Sequence, residues 1–171
     1  NDGQWDESGD WTVFAGAESG NIEVALLDGS QRRLVSDMPL WDEYEPDCCG
    51  LALLPLQAVI AFASAPRRGE QIGTSNANER EIFTVNADGT GRDQLTRNND
   101  YDDEPDWSPG GNQIVFTHGR YGFNTDIWSM NADGSNPIQL TDDEATDHSP
   151  RWLPDGRIMF VSERGRAGAI Y

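Results

Sequence analysis

The chain has 171 residues, of which 36% are hydrophobic, and its 30 acidic residues outweigh 12 basic ones to give a formal net charge of −18. This length can bury one core, but the acidic surface excludes a nucleic-acid ligand because phosphate contacts need a basic face. No run of about 18 apolar residues occurs, so no transmembrane helix is predicted.

The same charge balance makes cations or a basic protein the natural partners of the chain. Solubility of an exported protein is an alternative reason for the acidity. The chain opens with Asn-Asp-Gly-Gln, in which no signal peptide is visible, so we expect an exported protein to have lost its leader.

The first repeating unit begins at Trp5, nine residues before Phe14. Alternating apolar residues predict strands around residues 4–5, 10–15, 21–27 and 32–35. Asp28-Gly29 supplies the turn between the third and fourth strands.

The second unit begins in an acidic linker at residues 42–47, and Cys48 takes the place that Trp107 holds in the next unit. An insertion at residues 65–79 has loop chemistry and is either a binding surface or a neutral loop. Cys48 and Cys49 are adjacent, so a disulfide between them would be strained and we expect free thiols, with a rare vicinal ring as the alternative.

The third unit, residues 105–141, is the most regular copy. Its segment Ile127 to Thr141 repeats Ile82 to Thr96, and the turns Asp88-Gly89 and Asp133-Gly134 lie 45 residues apart, as do Pro105 and Pro150. Four short strands in about 45 residues are typical of one blade of a β-propeller.

The fourth unit has a first strand at 147–152 and a second at 157–161, and Ile170-Tyr171 fall where Ile127-Trp128 begin the third strand. The sequence therefore predicts an all-β fold, a single propeller segment over residues 1–171. Its four-stranded antiparallel blades cover residues 3–36, 43–96, 102–141 and, incompletely, 147–171. It is either a segment of a longer propeller or an arc that another chain completes, and a ring of four blades is a third possibility.

These motifs resemble the TolB-like propeller repeat. The family pattern is roughly Asp-x-x-Pro-x-Trp-Ser-Pro-Asp-Gly-x-x-Ile-x-Phe, followed by Ile-Tyr-x-Met-Asn-Ala-Asp-Gly and Leu-Thr, and the third unit matches it almost throughout. The resemblance implies a propeller that is commonly six-bladed, with the first strand of each blade innermost. It also implies an extracellular or periplasmic protein, although repeats of this kind occur in transport, binding and peptidase-gating proteins.

Trp5, Trp107 and Trp152 recur once per matching unit, which predicts packing between blades; a stacking surface for sugars is the alternative. If the first strands are innermost, Glu43, Asp102 and Asp147 converge at one mouth of the channel and could hold Ca²⁺. Each acidic residue could instead cap its own turn. We expect no other cofactor.

No catalytic residues are predicted. Asp147, His148 and Ser149 are consecutive, and neighbouring side chains on a strand point to opposite faces, so they cannot form a catalytic triad. We expect a non-catalytic exported module that binds protein or its own copies, as an oligomer or a filament. The alternative is the propeller portion of a peptidase-like hydrolase whose catalytic domain lies outside these residues.

Overall fold

The structure is a computed structural model that describes residues 11–15, 21–26, 32–36, 41–48, 59–66, 80–120, 122–165 and 168–171. Within these ranges all regular structure is β-strand, and no helix there is long and apolar enough to cross a bilayer. The fourteen strands are β1 (Trp11–Ala15), β2 (Ile22–Leu26), β3 (Arg33–Ser36), β4 (Trp41–Cys48), β5 (Val59–Pro66), β6 (Glu81–Asn86), β7 (Asp93–Gln94), β8 (Tyr101–Trp107), β9 (Gln113–Gly119), β10 (Thr125–Asn131), β11 (Ile138–Gln139), β12 (Asp147–Trp152), β13 (Ile158–Ser162) and β14 (Ala169–Ile170).

The strands form four antiparallel meanders in chain order: sheet 1 (β1–β3), sheet 2 (β4–β7), sheet 3 (β8–β11) and sheet 4 (β12–β14). In every sheet each strand pairs with the next one along the chain. This confirms the predicted all-β fold of repeated antiparallel sheets. Trp5 and most of the predicted insertion at 65–79 lie outside the described residues.

Successive sheets are stacked face to face, and the junctions of sheets 1 and 2 and of sheets 2 and 3 each have an apolar core. Between sheets 1 and 2, Ile22 and Val24 pack with Phe62 and Val85. Between sheets 2 and 3 the packing residues are Ala61, Ala63, Ile82, Trp107, Ile114, Phe116 and Met130. Neighbouring residues of β5 therefore enter different cores, as the alternation of side chains along a strand requires.

Strand β9 differs from the half-buried strand that alternation around Ile114 and Phe116 predicted. Val115 and Thr117, on its other face, are 0% and 1% exposed. Both faces are buried because sheet 3 lies between sheets 2 and 4, with β12 contacting β8, β9 and β10. An interior blade thus has no solvent face.

The prediction of an acidic linker at residues 42–47 was wrong, because these residues belong to strand β4. The equivalent acidic run of sheet 3 is strand β8. The first strands of sheets 2, 3 and 4 each have a shift in pairing register beside a proline: between Tyr44 and Asp47, between Asp103 and Asp106, and between His148 and Arg151. Such a bulge lets a strand accept proline, which cannot donate to the ladder.

The turns at Asp88-Gly89 and Asp133-Gly134 join the third and fourth strands of sheets 2 and 3. In each, the Asp Oδ1 accepts a hydrogen bond from the backbone N–H two residues on, at 2.8 Å for Asp88 and 2.9 Å for Asp133. The glycines have φ of 85° and 80°. These turns close the sheets with local hydrogen bonds.

Candidate functional site

The structure brings together a carboxylate, a cationic side chain and an aromatic ring at two sheet junctions. The second junction lies between sheets 2 and 3, and the third junction lies between sheets 3 and 4. In each group the carboxylate lies near the start of the sheet's first strand, and the cationic side chain lies near or just beyond the end of the second strand. The aromatic ring lies in the third strand or directly after it. The residues are Asp102, His118 and Trp128 at the second junction and Asp147, Arg164 and Tyr171 at the third.

At the second junction Asp102 is fully buried and both of its carboxylate oxygens are bonded. His118 Nδ1 lies 2.5 Å from Oδ1, and Asn98 Nδ2 donates to Oδ2 at 2.7 Å. The His118 ring lies 4.7 Å from the Trp128 ring, centroid to centroid. The amide oxygen of Asn98 accepts from Asp100 N at 2.7 Å, so Asn98 ties the connecting loop to the buried carboxylate.

The third junction repeats this arrangement with one donor fewer. Arg164 Nη2 donates to Asp147 Oδ2 at 2.6 Å, and the guanidinium carbon lies 5.5 Å from the Tyr171 ring centroid. Asp143 occupies the place of Asn98, and its Oδ1 accepts from Ala145 N at 2.9 Å. Where Asn98 has its amide nitrogen, Asp143 has a second carboxylate oxygen. This oxygen lies 3.6 Å from Arg164 Nε.

As a result Asp147 Oδ1 is buried without a hydrogen-bond partner among the described residues. A buried carboxylate oxygen without a donor is costly. The second junction avoids this cost because an amide stands in the place of Asp143.

The charge environment of His118 favours its protonated form. The hydrogen bond with Asp102 raises the pKa of His118, burial opposes this, and the charges of Asp102, Asp100 and Asp126 raise it further. Asp102 therefore keeps a positive partner over a wider pH range than an ordinary histidine would supply.

Asp126, near the start of the third strand of sheet 3, lies opposite His118 in the ladder, and its charge is one of those that raise the pKa of His118. Burial raises the pKa of Asp126; the hydrogen bonds of Thr141 and Gln139 lower it, whereas the charges of Asp147 and Asp142 raise it. Burial is therefore the main cause of the raised pKa of Asp126, and the neighbouring carboxylates add to it.

A separate ion pair joins sheets 2 and 3. Arg80 Nη1 and the Tyr101 hydroxyl both donate to Asp103 Oδ2, and the Arg80 guanidinium lies 5.4 Å from the Tyr101 ring centroid. Burial raises the pKa of Asp103, although Arg80 and Tyr101 oppose this. Burial beside the Asp103 charge also raises the pKa of Tyr101.

The first strands of sheets 3 and 4 are joined by carboxylates. Glu104 Oε2 accepts from Ser149 N at 2.6 Å and Oε1 accepts from Ser149 Oγ at 2.8 Å. Asp106 Oδ2 accepts from Trp152 N at 2.5 Å. Glu104 and Ser149, at equivalent bulge positions, have φ of 54° and 52°, an unfavourable conformation for residues other than glycine.

Asp147, His148 and Ser149 do not assemble as a catalytic triad. The carboxylate of Asp147 pairs with Arg164, and the Ser149 hydroxyl donates to Glu104. His148 Nδ1 lies 3.0 Å from Ser149 Oγ and makes no hydrogen bond to the Asp147 carboxylate. These three residues therefore lack the relay that activates a serine.

The predicted Ca²⁺ ligands lie at separate places in the fold. Asp102 is at the second junction and Asp147 at the third, and the side chain of Glu43 lies outside the described residues. In the described part of the chain, no group of three or more His, Cys, Asp or Glu side chains could hold a metal ion. Ca²⁺ binding by these three residues stays a prediction.

The tryptophans of the repeat differ in burial. Trp107 is 6% exposed and packs in the core between sheets 2 and 3. Trp152, in strand β12, is half-buried.

No protein-family profile and no curated protein sequence matches the chain. Among solved structures, TolB from Acinetobacter baumannii superposes with a TM-score of 0.70 at 22% identity, over 98% of this chain and 39% of that one. A chain of a nidogen/laminin complex matches with a TM-score of 0.65 at 14% identity, over 92% of this chain and 55% of that one. A puromycin hydrolase matches with a TM-score of 0.67 at 19% identity, over 90% and 26% respectively.

The chain has the TolB-like β-propeller fold. It spans about two fifths of the length of the TolB structure, so its four sheets correspond to part of a larger propeller. At these identities the likeness shows the fold alone.

Within this TolB-like propeller, sequence reasoning found Asp102 and Asp147 but not their partners. His118 and Arg164 do not occupy the same position in the repeat. The strand partner of Asp102 is His118, whereas the strand partner of Asp147 is Ser162. One feature of the sequence distinguishes the third junction. Asp143 lies 45 residues after Asn98, so an acidic residue replaces an amide at the same position of the repeat.

Proposed function

We propose that this chain is a non-catalytic, exported interaction module, and that the outer face of sheet 4 binds further protein, including copies of the chain. The observation that carries the proposal is a difference between equivalent strands. Val115 and Thr117 of β9 are 0% and 1% exposed. Their counterparts in β13, Met159 and Val161, are only half-buried.

This open face, defined by Met159 and Val161, is built like an interior face of the propeller. Its apolar side chains gain free energy when another protein surface covers them. Strand β14 also forms the last strand of sheet 4 among the described residues, and an unpaired strand edge favours association.

Two further observations support an exported interaction role. One structural relative is a chain of a nidogen/laminin complex, and the relatives with the highest coverage include a TolB. The net charge of −18 suits a protein that meets cationic partners rather than nucleic acid.

Light scattering coupled to gel filtration tests the open face. We expect the average mass to rise above the chain mass of 18.9 kDa as the protein concentration increases. Val161→Asp should prevent this rise, because a carboxylate cannot be buried unpaired. Ile138→Asp is the matched control, since it adds the same charge at a side chain that is already 56% exposed.

A wild-type chain that stays a monomer at every concentration contradicts self-association, and equal effects of the two variants contradict the role of the open face.

A second candidate function is the propeller portion of a hydrolase, favoured by the likeness to puromycin hydrolase, of which this chain spans 26%. The sequence neighbouring this segment in the full-length protein distinguishes the two. A hydrolase domain there supports the second candidate, whereas further propeller repeats support the first.

A further inference from the structure

We infer that the third junction holds a docking site for a β-hairpin of the repeat's own type, presented by a partner protein. The site includes the turn seat of sheet 3. We use this name for one residue in or directly after the last strand of a sheet: Val35 in sheet 1, Leu95 in sheet 2 and Leu140 in sheet 3. Each lies six residues after the glycine of its own sheet's turn. The inference rests on the proposed function in that the ligand is a protein, and it adds the place and the chemistry of the contact.

The first two turn seats are covered by the hairpin turn of the next sheet. A Cβ built on Gly89 of sheet 2 would lie 2.8 Å from the Val35 carbonyl oxygen, and one built on Gly134 of sheet 3 would lie 2.9 Å from the Leu95 carbonyl oxygen. Val35 is accordingly 6% exposed, and Leu95 packs against the core of the second junction. The same contact therefore recurs at two consecutive junctions.

The turns that cover these seats share one chemistry. Each has the sequence Asn-Ala-Asp-Gly. The alanines belong to the junctions too, since Ala87 lies in the first core and Ala132 packs against the second. Glycine suits the last position because its φ is positive, 85° at Gly89 and 80° at Gly134, and because a side chain there would meet the seat. A small-residue turn of this sequence is thus the ligand that a turn seat fits.

The third turn seat has the same backbone but no cover. Leu140 N donates to the Ile127 carbonyl at 2.8 Å, as Leu95 N does to the Ile82 carbonyl at 2.8 Å. Sheet 4 has three strands among the described residues and no third-to-fourth-strand turn there, and Leu140 is 44% exposed. The seat is therefore formed before a ligand arrives, which lowers the ordering cost of binding.

Strand β13 offers a backbone edge next to this seat. In sheet 3 the second strand, β9, pairs with β10 along its whole length. In sheet 4, β13 bonds to β14 and the residue after it only over residues 160–162. Ile158 and Met159 pair with β12 alone in the part of the chain that the structure describes. Their other edge can accept an added strand.

One continuous segment can occupy both places. In sheet 3 the strand that pairs with β9 runs directly into the turn that covers Leu95. A segment bound in the same way at sheet 4 would extend the ladder at Ile158 and set its glycine turn on Leu140. An extended peptide without the turn would leave Leu140 uncovered, so we assign a hairpin to this site.

The experiment titrates the whole isotope-labelled chain with a peptide of residues 129–141, Ser-Met-Asn-Ala-Asp-Gly-Ser-Asn-Pro-Ile-Gln-Leu-Thr, and records amide resonances by NMR. We expect saturable shifts at Leu140 and Ile158. The blank is the peptide with proline in place of Met130, which pairs with Ile114 in sheet 3. It should bind at least about tenfold more weakly, because proline cannot donate to the ladder.

Leu140→Asp tests the turn seat itself. It should weaken peptide binding by at least about tenfold, because the turn would cover a carboxylate without a partner. Ile138→Asp is the matched control. It adds the same charge two residues away, where sheet 2 already has the exposed Asp93 beside a covered seat, and it should change the affinity by less than about twofold. Leu140 and Ile138 are 44% and 56% exposed, so both variants should fold.

Three results overturn the inference: no saturable binding of the peptide, equal weakening by Leu140→Asp and Ile138→Asp, or a concentration-dependent shift of the Leu140 amide in the chain alone, which would make a second copy the occupant. The first result leaves the proposed function standing if the mass of the chain still rises with concentration. Conversely, a strictly monomeric chain that binds the peptide as described contradicts only the self-association part of the proposal.

Discussion

Gly89 and Gly134 hold the same place in consecutive sheets, and each lies against the last strand segment of the preceding sheet. A Cβ built on Gly134 would lie 2.9 Å from the Leu95 carbonyl oxygen, and one built on Gly89 would lie 2.8 Å from the Val35 carbonyl oxygen. Both distances are shorter than real Cβ contacts. These turns therefore close their own hairpin and also set how closely two sheets approach.

Gly134→Ala is expected to lower the free energy of unfolding by about 2–3 kcal/mol, from the unfavourable positive φ and the clash with Leu95 together. Urea denaturation monitored by tryptophan fluorescence measures this. Gly156→Ala is the control, because Gly156 has φ of 85° but no atom within 4 Å of the added Cβ.

In the control variant Gly156→Ala, the free energy of unfolding should fall only by the cost of a positive φ in alanine, about 1 kcal/mol. Equal losses in the two alanine variants would show that contact between the sheets at Gly134 contributes nothing.

His118 predicts a pH dependence of stability. Its folded pKa lies above the ordinary value of 6.5, so its pairing with Asp102 stabilises the fold fully below that ordinary pKa and is lost as the pH rises through the folded pKa. The stability difference between wild type and His118→Gln should therefore shrink from pH 5.5 towards pH 9. Melting temperatures measured across this range check the trend.

Arg164→Gln provides the comparison at the equivalent junction. An arginine stays charged throughout this range, so the stability lost in Arg164→Gln should vary much less with pH. If the stability lost in His118→Gln is constant across this range, or grows with pH, the Asp102–His118 contact is not an ion pair.

At the scale of the strands, Glu104 connects the first strand of sheet 3 to that of sheet 4. Its carboxylate accepts hydrogen bonds from Ser149 N, Ser149 Oγ and Thr117 Oγ1, at 2.6 Å, 2.8 Å and 2.9 Å. Backbone ladders hold each sheet together, whereas this side chain joins neighbouring sheets. The positive φ of Glu104 and Ser149 is held by these bonds.

Glu104→Ala should destabilise the fold by about 2–3 kcal/mol, because it leaves a half-buried backbone N–H without its charged acceptor. Hydrogen exchange of β12 should speed up more than that of β9. Glu144→Ala, which removes an exposed carboxylate, should leave both rates unchanged. Unaltered exchange of β12 in Glu104→Ala would contradict the role of Glu104 between the sheets.

The strands and their order could be predicted from the sequence, because the period of 45 residues marks equivalent turns such as Asp88-Gly89 and Asp133-Gly134. The acidic run at residues 42–47 was misread as a linker because charged residues seldom form an inner strand. Here a bulge admits the proline, and in sheet 3 Arg80 and His118 pair with the carboxylates Asp103 and Asp102 of strand β8.

The candidate site could be predicted only in part. Asp102 and Asp147 follow from the repeat, but their partners depend on the cross-strand register, which each bulge shifts. The change from Asn98 to Asp143 is visible in the sequence, yet it acquires a meaning only once the position is known to contact a buried carboxylate.

At the scale of the whole molecule, four sheets stacked in chain order leave interior faces sealed and the outer face of sheet 4 open. Val115 and Met159 are equivalent residues, the first fully buried and the second half-buried. The chain spans 39% of the TolB structure. Our proposal assigns the interaction role to this open face.

The most direct test is hydrogen–deuterium exchange of the whole chain at low and high protein concentration. The account predicts that amides of β13, Ile158–Ser162, become more protected as concentration rises, while those of β9, Gln113–Gly119, stay equally protected throughout. Protection of β13 that does not change with concentration, in a sample that remains monomeric, would contradict it.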